Sequence, residues 1–161
     1  MKDFLKSLAG VAIFLFMVFL YFDLTDIGKN TLPQIQLKVL IPENIKSVKI
    51  GDNILNVDLA LTQEAQELGL SFRKSLEENK GMLFVFEVPK KYSFWMKDMN
   101  FPIDIIWIGI DDRIVYIKEN VKPESFPESF APSKDSKYVL EAASGFSGKN
   151  NLKEGDLVEF R

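Results

Sequence analysis

Apolar and polar residues alternate with a period of two through much of the chain, the pattern of half-buried β-strands. Met82–Val88 departs from it, because it is almost entirely apolar and is therefore expected to be buried on both faces. Strands are predicted over Gln34–Ile41, Ile45–Ile50, Ile54–Leu59, Met82–Val88, Tyr92–Asp98, Ile103–Ile108, Arg113–Lys118, Tyr138–Ala142 and Leu157–Phe160.

Helices are predicted to be few and short. Thr62 is a suitable N-cap for a helix over Gln63–Leu68, and Gly69 is placed to end it. A helical turn or a loop is expected over Ala143–Asn150, and residues 122–137 read as a long loop with three prolines. The predicted fold is mainly β (a β-rich α+β fold), as a single compact sandwich or partly open barrel with one or two short helices.

The N-terminal segment has a different character, since Leu8–Phe22 contains no charged residue. Together with the residues on either side, this run predicts a transmembrane helix over residues 4–24. Lys2 and Lys6 precede the apolar run, so the N-terminus is expected in the cytoplasm and the rest outside. The expected organisation is a cytoplasmic tip, anchor and linker over residues 1–30 and an extracytoplasmic β-rich domain over residues 31–161. A cleaved secretory signal is the alternative, although no small-x-small cleavage site follows the run.

Composition excludes several classes of function. The 161 residues include no Cys and no His, which excludes disulfide scaffolds, thiol nucleophiles, zinc sites of the usual ligand set and imidazole triads. The net charge of −3 argues against a nucleic-acid partner. No calcium loop or phosphate loop is present, and soft ligation of copper(I) by methionine is disfavoured without His or Cys, so neither a metal nor another cofactor is predicted.

Two carboxylates interrupt apolar strands and mark the best candidates for a site. Asp104 lies within Ile103–Ile108, and Glu141 lies near the end of Tyr138–Ala142. A buried carboxylate is costly unless it is paired or has a function. Lys97 and Arg73 are the cations suggested as partners, as core ion pairs Lys97–Asp104 and Arg73–Glu141.

An aromatic and thioether cluster around Trp95 and Met96 lies next to Lys97 in the sequence. Such a cluster can be core packing, in which methionine fills gaps around the indole, or the wall of a small-molecule pocket.

Several motif segments follow one another along the chain: 62–76, 81–86, 94–98, 102–106, 139–141, Gly145 and Gly155–Asp156. In this order they resemble the uncharacterised family called domain of unknown function 192. The resemblance covers roughly residues 54–160, and it implies a compact β-rich fold, often exported behind an N-terminal signal or anchor, with no established activity, ligand or cofactor. Asp98 and Met99 replace the usual Asn-Thr after Phe-Trp-Met-Lys, and Ser71 stands where Met is common. The polar and aromatic positions of the family's motifs correspond in this chain to Arg73, Trp95, Lys97, Asp104 and Glu141.

The resulting hypothesis is a membrane-anchored extracytoplasmic binding or accessory module. Its candidate pocket would hold a small molecule, a glycan or a peptide end, and its predicted residues are Arg73, Trp95, Met96, Lys97, Asp104 and Glu141. One alternative is an envelope hydrolase that uses Asp104 and Glu141 as acid and base. Another is a purely structural or protein-interaction domain. The residues show no recognisable catalytic motif, so enzymatic activity stays open.

Overall fold

The computed structural model describes residues 42–161, and over them the predicted β-rich fold is confirmed. The anchor predicted within residues 1–30 and the strand predicted over Gln34–Ile41 lie outside the described residues. From residue 42 to the C-terminus, every helix is too short or too polar to span a bilayer.

Residues 42–161 form nine β-strands and two short α-helices, together with two 3-10 turns at Pro42–Asn44 and Pro123–Ser125. The strands are β1 (Ser47–Ile50), β2 (Asn53–Ala60), β3 (Lys80–Lys90), β4 (Phe94–Trp95), β5 (Ile103–Ile108), β6 (Ile114–Val121), β7 (Ser129–Phe130), β8 (Ser136–Ala143) and β9 (Val158–Phe160). The helices are α1 (Gln63–Leu68) and α2 (Phe146–Lys149).

Seven strands form one sheet in the order β6-β5-β8-β3-β2-β1-β9, and β4 pairs separately with β7. Only β2 and β3 of the main sheet run parallel, and α1 lies in the connection between them. The sheet curls into a half-barrel. Its two edges approach at one end, where Arg113 and Leu157 form an antiparallel bridge. The Val158 N–H donates to the Asp112 carbonyl at 2.8 Å beside that bridge.

Each face of the central strands packs into its own apolar cluster, which is why these strands are apolar throughout. The inner face, inside the curl, carries Leu83, Ile106 and Leu140 among the residues of one core. The outer face carries Phe84, Trp107 and other residues of a second core. A covering layer formed by α1, the residues after it and the β4–β7 ribbon contributes to this second core, so the outer face is where a polar residue can meet a surface cleft.

Two sequence-based assignments need correction. The strand predicted over Tyr92–Asp98 is only Phe94–Trp95, because the neighbouring residues bend across the sheet face and Trp107 donates its indole N–H to the Tyr92 carbonyl at 2.8 Å. The loop predicted over residues 122–137 contains the Pro123–Ser125 turn and strand β7. With only two residues, Ser129 and Phe130, β7 is too short to show an alternation that would predict it.

Candidate functional site

A cleft lies between the outer face of the sheet and the layer that covers it. Helix α1 forms one side and is held to the sheet by Gln66, whose side-chain amide donates to the Ala60 and Val85 carbonyls at 3.2 and 2.9 Å. Its first turn is capped by Thr62, whose hydroxyl accepts from the Ala65 N–H at 3.2 Å.

The segment after β4 forms the other side of the cleft. It is joined to the segment after α1, because the Phe72 N–H donates to the Asp98 carbonyl at 2.8 Å. The Ser71 hydroxyl donates to the Lys97 carbonyl at 3.0 Å in the same region. The two sides of the cleft are therefore joined to each other, and α1 is also held to the sheet.

The cleft has a volume of about 760 Å³ and is strongly aromatic. Phe84 and Phe94 meet edge to face with ring centroids 4.9 Å apart, and Phe86 stacks on Tyr92. The full lining is Gln63, Gln66, Glu67, Leu68, Gly69, Ser71, Phe72, Phe84, Phe86, Tyr92, Ser93, Phe94, Trp95, Lys97, Asp98, Met99 and Glu141. A volume in this range is typical of small-molecule sites.

Glu141 is the buried polar residue of the cleft. Its position follows from strand register, because Glu141 pairs with Met82 of β3 on one side and with Ile105 of β5 on the other, and both neighbours belong to the outer core. Only 5% of its surface is exposed, and its Oε2 atom has no hydrogen-bond partner among the described residues. Burial raises the pKa of Glu141 to about 8, although the nearby Arg73 guanidinium acts in the opposite direction. The uncharged carboxylic acid is therefore the predominant form of the side chain at neutral pH.

Arg73 does not form the predicted ion pair with Glu141. Its guanidinium donates instead to the Asp58 carboxylate at 2.8 Å, and both side chains are substantially exposed. Arg73 therefore lowers the pKa of Glu141 only through space, and it gives Oε2 no hydrogen bond.

Exposed aromatic and charged residues surround the mouth of the cleft. Trp95 is 54% exposed and meets Phe126 edge to face at 6.0 Å, and Phe72 is 69% exposed. Phe72 and Trp95 also line the cleft, together with the charged residues Glu67, Lys97 and Asp98. Large apolar side chains at a concave mouth are typical of binding surfaces.

Asp104 lies elsewhere. It pairs with Ala142, whereas Glu141 pairs with Ile105, so the two carboxylates point to opposite faces of the sheet. The Asp104 side chain is fully buried and accepts three backbone N–H bonds, from Asn120 at 2.8 Å, Gly145 at 3.1 Å and Ser147 at 2.8 Å. Asp104 thereby supplies a hydrogen-bond acceptor to backbone N–H groups at the start of α2 and at an irregular position of β6. Its role in the fold is therefore structural.

Of the six predicted site residues, the cleft brings together Trp95, Lys97 and Glu141. The structure does not bring Asp104 there, nor does it form the predicted Lys97–Asp104 pair. Met96 is 1% exposed in the outer core, which agrees with the packing interpretation. Arg73 lies beside the cleft.

Sequence reasoning missed the aromatic walls of the cleft. Phe84 and Phe86 are two residues apart in one strand and therefore lie on the same face of it, which was the available signal. Tyr92 lies outside β4, which is shorter than the predicted strand.

No three His, Cys, Asp or Glu side chains between residues 42 and 161 come together in a group that could hold a metal ion.

Comparison with known proteins gives a family and two similar folds. The model of a family described as "Uncharacterized ACR", domain of unknown function 192, matches residues 46–160. A crystal structure of a protein of unknown function from Novosphingobium aromaticivorans DSM 12444 has 32% identity and a TM-score of 0.68, over 71% of this chain and 84% of that one. A protein from Sinorhizobium meliloti 1021, proposed to be a transcription regulator, has 29% identity and a TM-score of 0.66, over 71% and 90% of the two chains. No curated protein is similar in sequence to this chain.

Proposed function

The chain belongs to the uncharacterised family known as domain of unknown function 192, and we propose that this member is a binding module whose cleft over Glu141 holds a small molecule. The observation that carries the proposal is the enclosed, partnerless Oε2 of Glu141 on a wall of aromatic rings. Burying a polar group without a hydrogen bond destabilises a fold by about 1–3 kcal/mol. A residue that brings such a cost and lines a cleft is a candidate for ligand contact.

Two alternatives have less support. The envelope hydrolase considered above uses Asp104 and Glu141 together, and Asp104 lies on the other face of the sheet from Glu141. A purely structural role would be favoured by a satisfied ion pair, but Arg73 donates to Asp58 rather than to Glu141. We also do not extend to this chain the transcription-regulator role proposed for the Sinorhizobium protein, because the net charge here is −3.

We further propose that the module is anchored in the cell membrane, through residues 4–24, with its N-terminus in the cytoplasm and its β-rich domain outside. Leu8–Phe22 and the preceding Lys2 and Lys6 support this orientation. Alkaline phosphatase fused to the C-terminus is expected to be active, since it requires export, and a green fluorescent protein fusion is expected to be dark. The opposite pair of results contradicts the orientation. Recovery of the domain from the medium instead favours a cleaved signal.

Ligand binding is tested on the full chain in detergent micelles, with fluorine-labelled tryptophan. The chain has two tryptophans, Trp95 at the mouth of the cleft and Trp107, which is fully buried beneath it. A panel of neutral, cationic and anionic aromatic fragments is expected to include members that shift the Trp95 fluorine signal at saturable concentrations.

Two variants locate the binding. Ser93→Tyr places a large ring in the cleft and is expected to abolish the shift. Lys153→Tyr adds the same ring at an exposed position outside the cleft and is expected to leave the shift unchanged. The proposal fails if no fragment binds, or if Ser93→Tyr binds as well as the natural sequence does.

A further inference from the structure

The carboxyl group of Glu141 determines which ligands the cleft can accept. Only 5% of the residue is exposed, and it lines a cleft that is also lined by aromatic side chains. Burial of an ionised carboxylate without a partner is strongly unfavourable, so Glu141 is predominantly in its uncharged, protonated form. An uncharged carboxylic acid has one O–H donor, unlike the carboxylate, which only accepts.

The charged groups near Glu141 are already engaged or lie outside the enclosed part. Arg73 is bound to Asp58 at 2.8 Å. Glu67 accepts a hydrogen bond from Gln63 at 2.9 Å, and both Lys97 and Asp98 are exposed at the mouth, where water screens them. None of these groups gives the enclosed acid a counter-charge at hydrogen-bond distance.

The aromatic walls of the cleft favour a ligand that is flat and apolar. Phe84, Phe86 and Phe94 present rings to the cleft, and aromatic walls bind flat rings through stacked or edge-to-face contacts. A ligand that fills this space and also meets Glu141 has an apolar ring with one polar group at its inner end.

We propose that the cleft selects an uncharged ring compound with a carbonyl or similar hydrogen-bond acceptor, which accepts the O–H of Glu141. This inference rests on the proposed binding function and names its ligand class. An ammonium ligand is disfavoured, because it must draw the proton off Glu141 and lose its own hydration in an aromatic space. A carboxylate ligand is disfavoured because it must give up its hydration for a single neutral donor.

The test compares three probes with the same bicyclic skeleton: 1-indanone, which carries a carbonyl, indane, which has no polar group, and 1-aminoindane, which carries an ammonium at neutral pH. Each is titrated into the full chain with fluorine-labelled tryptophan, in the natural sequence and in Glu141→Met and Glu141→Gln. Because each probe is compared with itself across the variants, its partition into detergent cancels. The unshifted signal of the buried Trp107 shows that each variant is folded.

For 1-indanone we expect Glu141→Met to weaken binding about tenfold, the effect of one hydrogen bond in an enclosed site. Glu141→Gln is expected to bind within about threefold of the natural sequence, because its amide N–H replaces the acid O–H. The affinities of indane and 1-aminoindane are expected to change little in either variant.

Two outcomes overturn the inference but leave the binding function standing. In the first, 1-indanone binds equally well to Glu141→Met. In the second, both substitutions abolish the binding of 1-aminoindane, which is the behaviour of a cation site. If none of the three probes shifts Trp95 in the natural sequence, the inference fails, and if the wider fragment panel also fails to bind, the proposed function fails with it.

Discussion

Asp104 and Glu141 lie on adjacent paired strands and point to opposite faces of one sheet, because Asp104 pairs with Ala142 and Glu141 pairs with Ile105. The face decides the role of each. On the inner side Asp104 accepts three backbone N–H bonds, whereas on the outer side Glu141 has an oxygen without a partner. A carboxyl group in the same kind of strand is therefore structural in one case and a candidate for ligand contact in the other.

Glu141 is expected to make stability depend on pH. Burial raises its pKa from 4.5 to about 8, so the folded state binds more protons than the unfolded state between these values. The unfolding free energy should therefore fall as pH rises from about 5 to about 8, by up to about 5 kcal/mol. Below pH 4.5 the acid is neutral in both states and this penalty disappears. Urea unfolding of the full chain in micelles, followed by tryptophan fluorescence, measures the change.

Glu141→Gln is the matched control for that titration, since its amide is neutral at every pH. Its stability should be nearly constant over the same interval and should exceed that of the natural sequence at pH 8. A natural protein whose stability changes with pH no more than that of Glu141→Gln contradicts this account of the buried acid.

Asp104→Asn is expected to destabilise the fold without changing the cleft. The substitution replaces one accepting oxygen with an amide NH₂, which leaves a buried backbone N–H without an acceptor. The expected loss is about 2–3 kcal/mol in unfolding free energy. Urea unfolding measures the loss, and the Trp95 fluorine titration checks the cleft. A loss below about 0.5 kcal/mol would show that the three-amide arrangement matters little.

Arg73→Met is expected to raise the pKa of Glu141 further, because the guanidinium lowers it in the natural sequence. The effect on stability should stay below about 1 kcal/mol, since the Arg73–Asp58 pair is exposed. Lys80→Met, which removes the exposed pair with Glu77, is the control and should leave the pKa of Glu141 unchanged. Carbon-13 NMR titration of the Glu141 carboxyl group distinguishes the two variants. Equal titration curves in the two would exclude a role for Arg73.

Gly69→Ala should perturb the cleft as well as the end of α1. Gly69 has a φ of +50°, and an added Cβ would lie 3.3 Å from Phe84 Cζ on the cleft wall. Gly51→Ala is the matched control, because Gly51 has a φ of +58° with no neighbour within 4 Å. Both substitutions are expected to cost about 1 kcal/mol or more through backbone strain. Only Gly69→Ala is expected to weaken fragment binding in the Trp95 titration, and equal binding by the two would contradict a tight wall at Phe84.

Local patterns predicted most of the fold over the described residues. Thr62 and Gly69 bound a helix in the structure as their capping preferences indicate, and Ile103–Ile108 is a strand with the predicted bounds. The short ribbon of β4 and β7 was not predictable, because its two-residue strands are held by contacts distant in sequence. Tertiary packing bends the chain at Tyr92, where alternation favoured a strand.

The site was predictable only in part. The sequence indicates that a polar residue in an apolar strand is buried, but it does not show on which face of the assembled sheet that residue lies. Asp104 and Glu141 were both recognisable as polar residues in apolar strands, yet the register that separates them is a property of the assembled sheet. Arg73 was a reasonable partner for Glu141 by charge, but Asp58 on β2 is its hydrogen-bond partner. The aromatic walls come from β3 of the sheet and from the separate segment over residues 92–95, so no single motif contains them.

The central claim is that Glu141 is an uncharged acid held ready for a ligand in the cleft. Carbon-13 NMR titration of its carboxyl group in the full chain tests this most directly, first alone and then with 1-indanone. The account predicts a pKa near 8 in the free protein, and a carboxyl signal that shifts when 1-indanone fills the cleft. A midpoint close to the ordinary value of 4.5, with a signal that 1-indanone leaves unmoved, would contradict it.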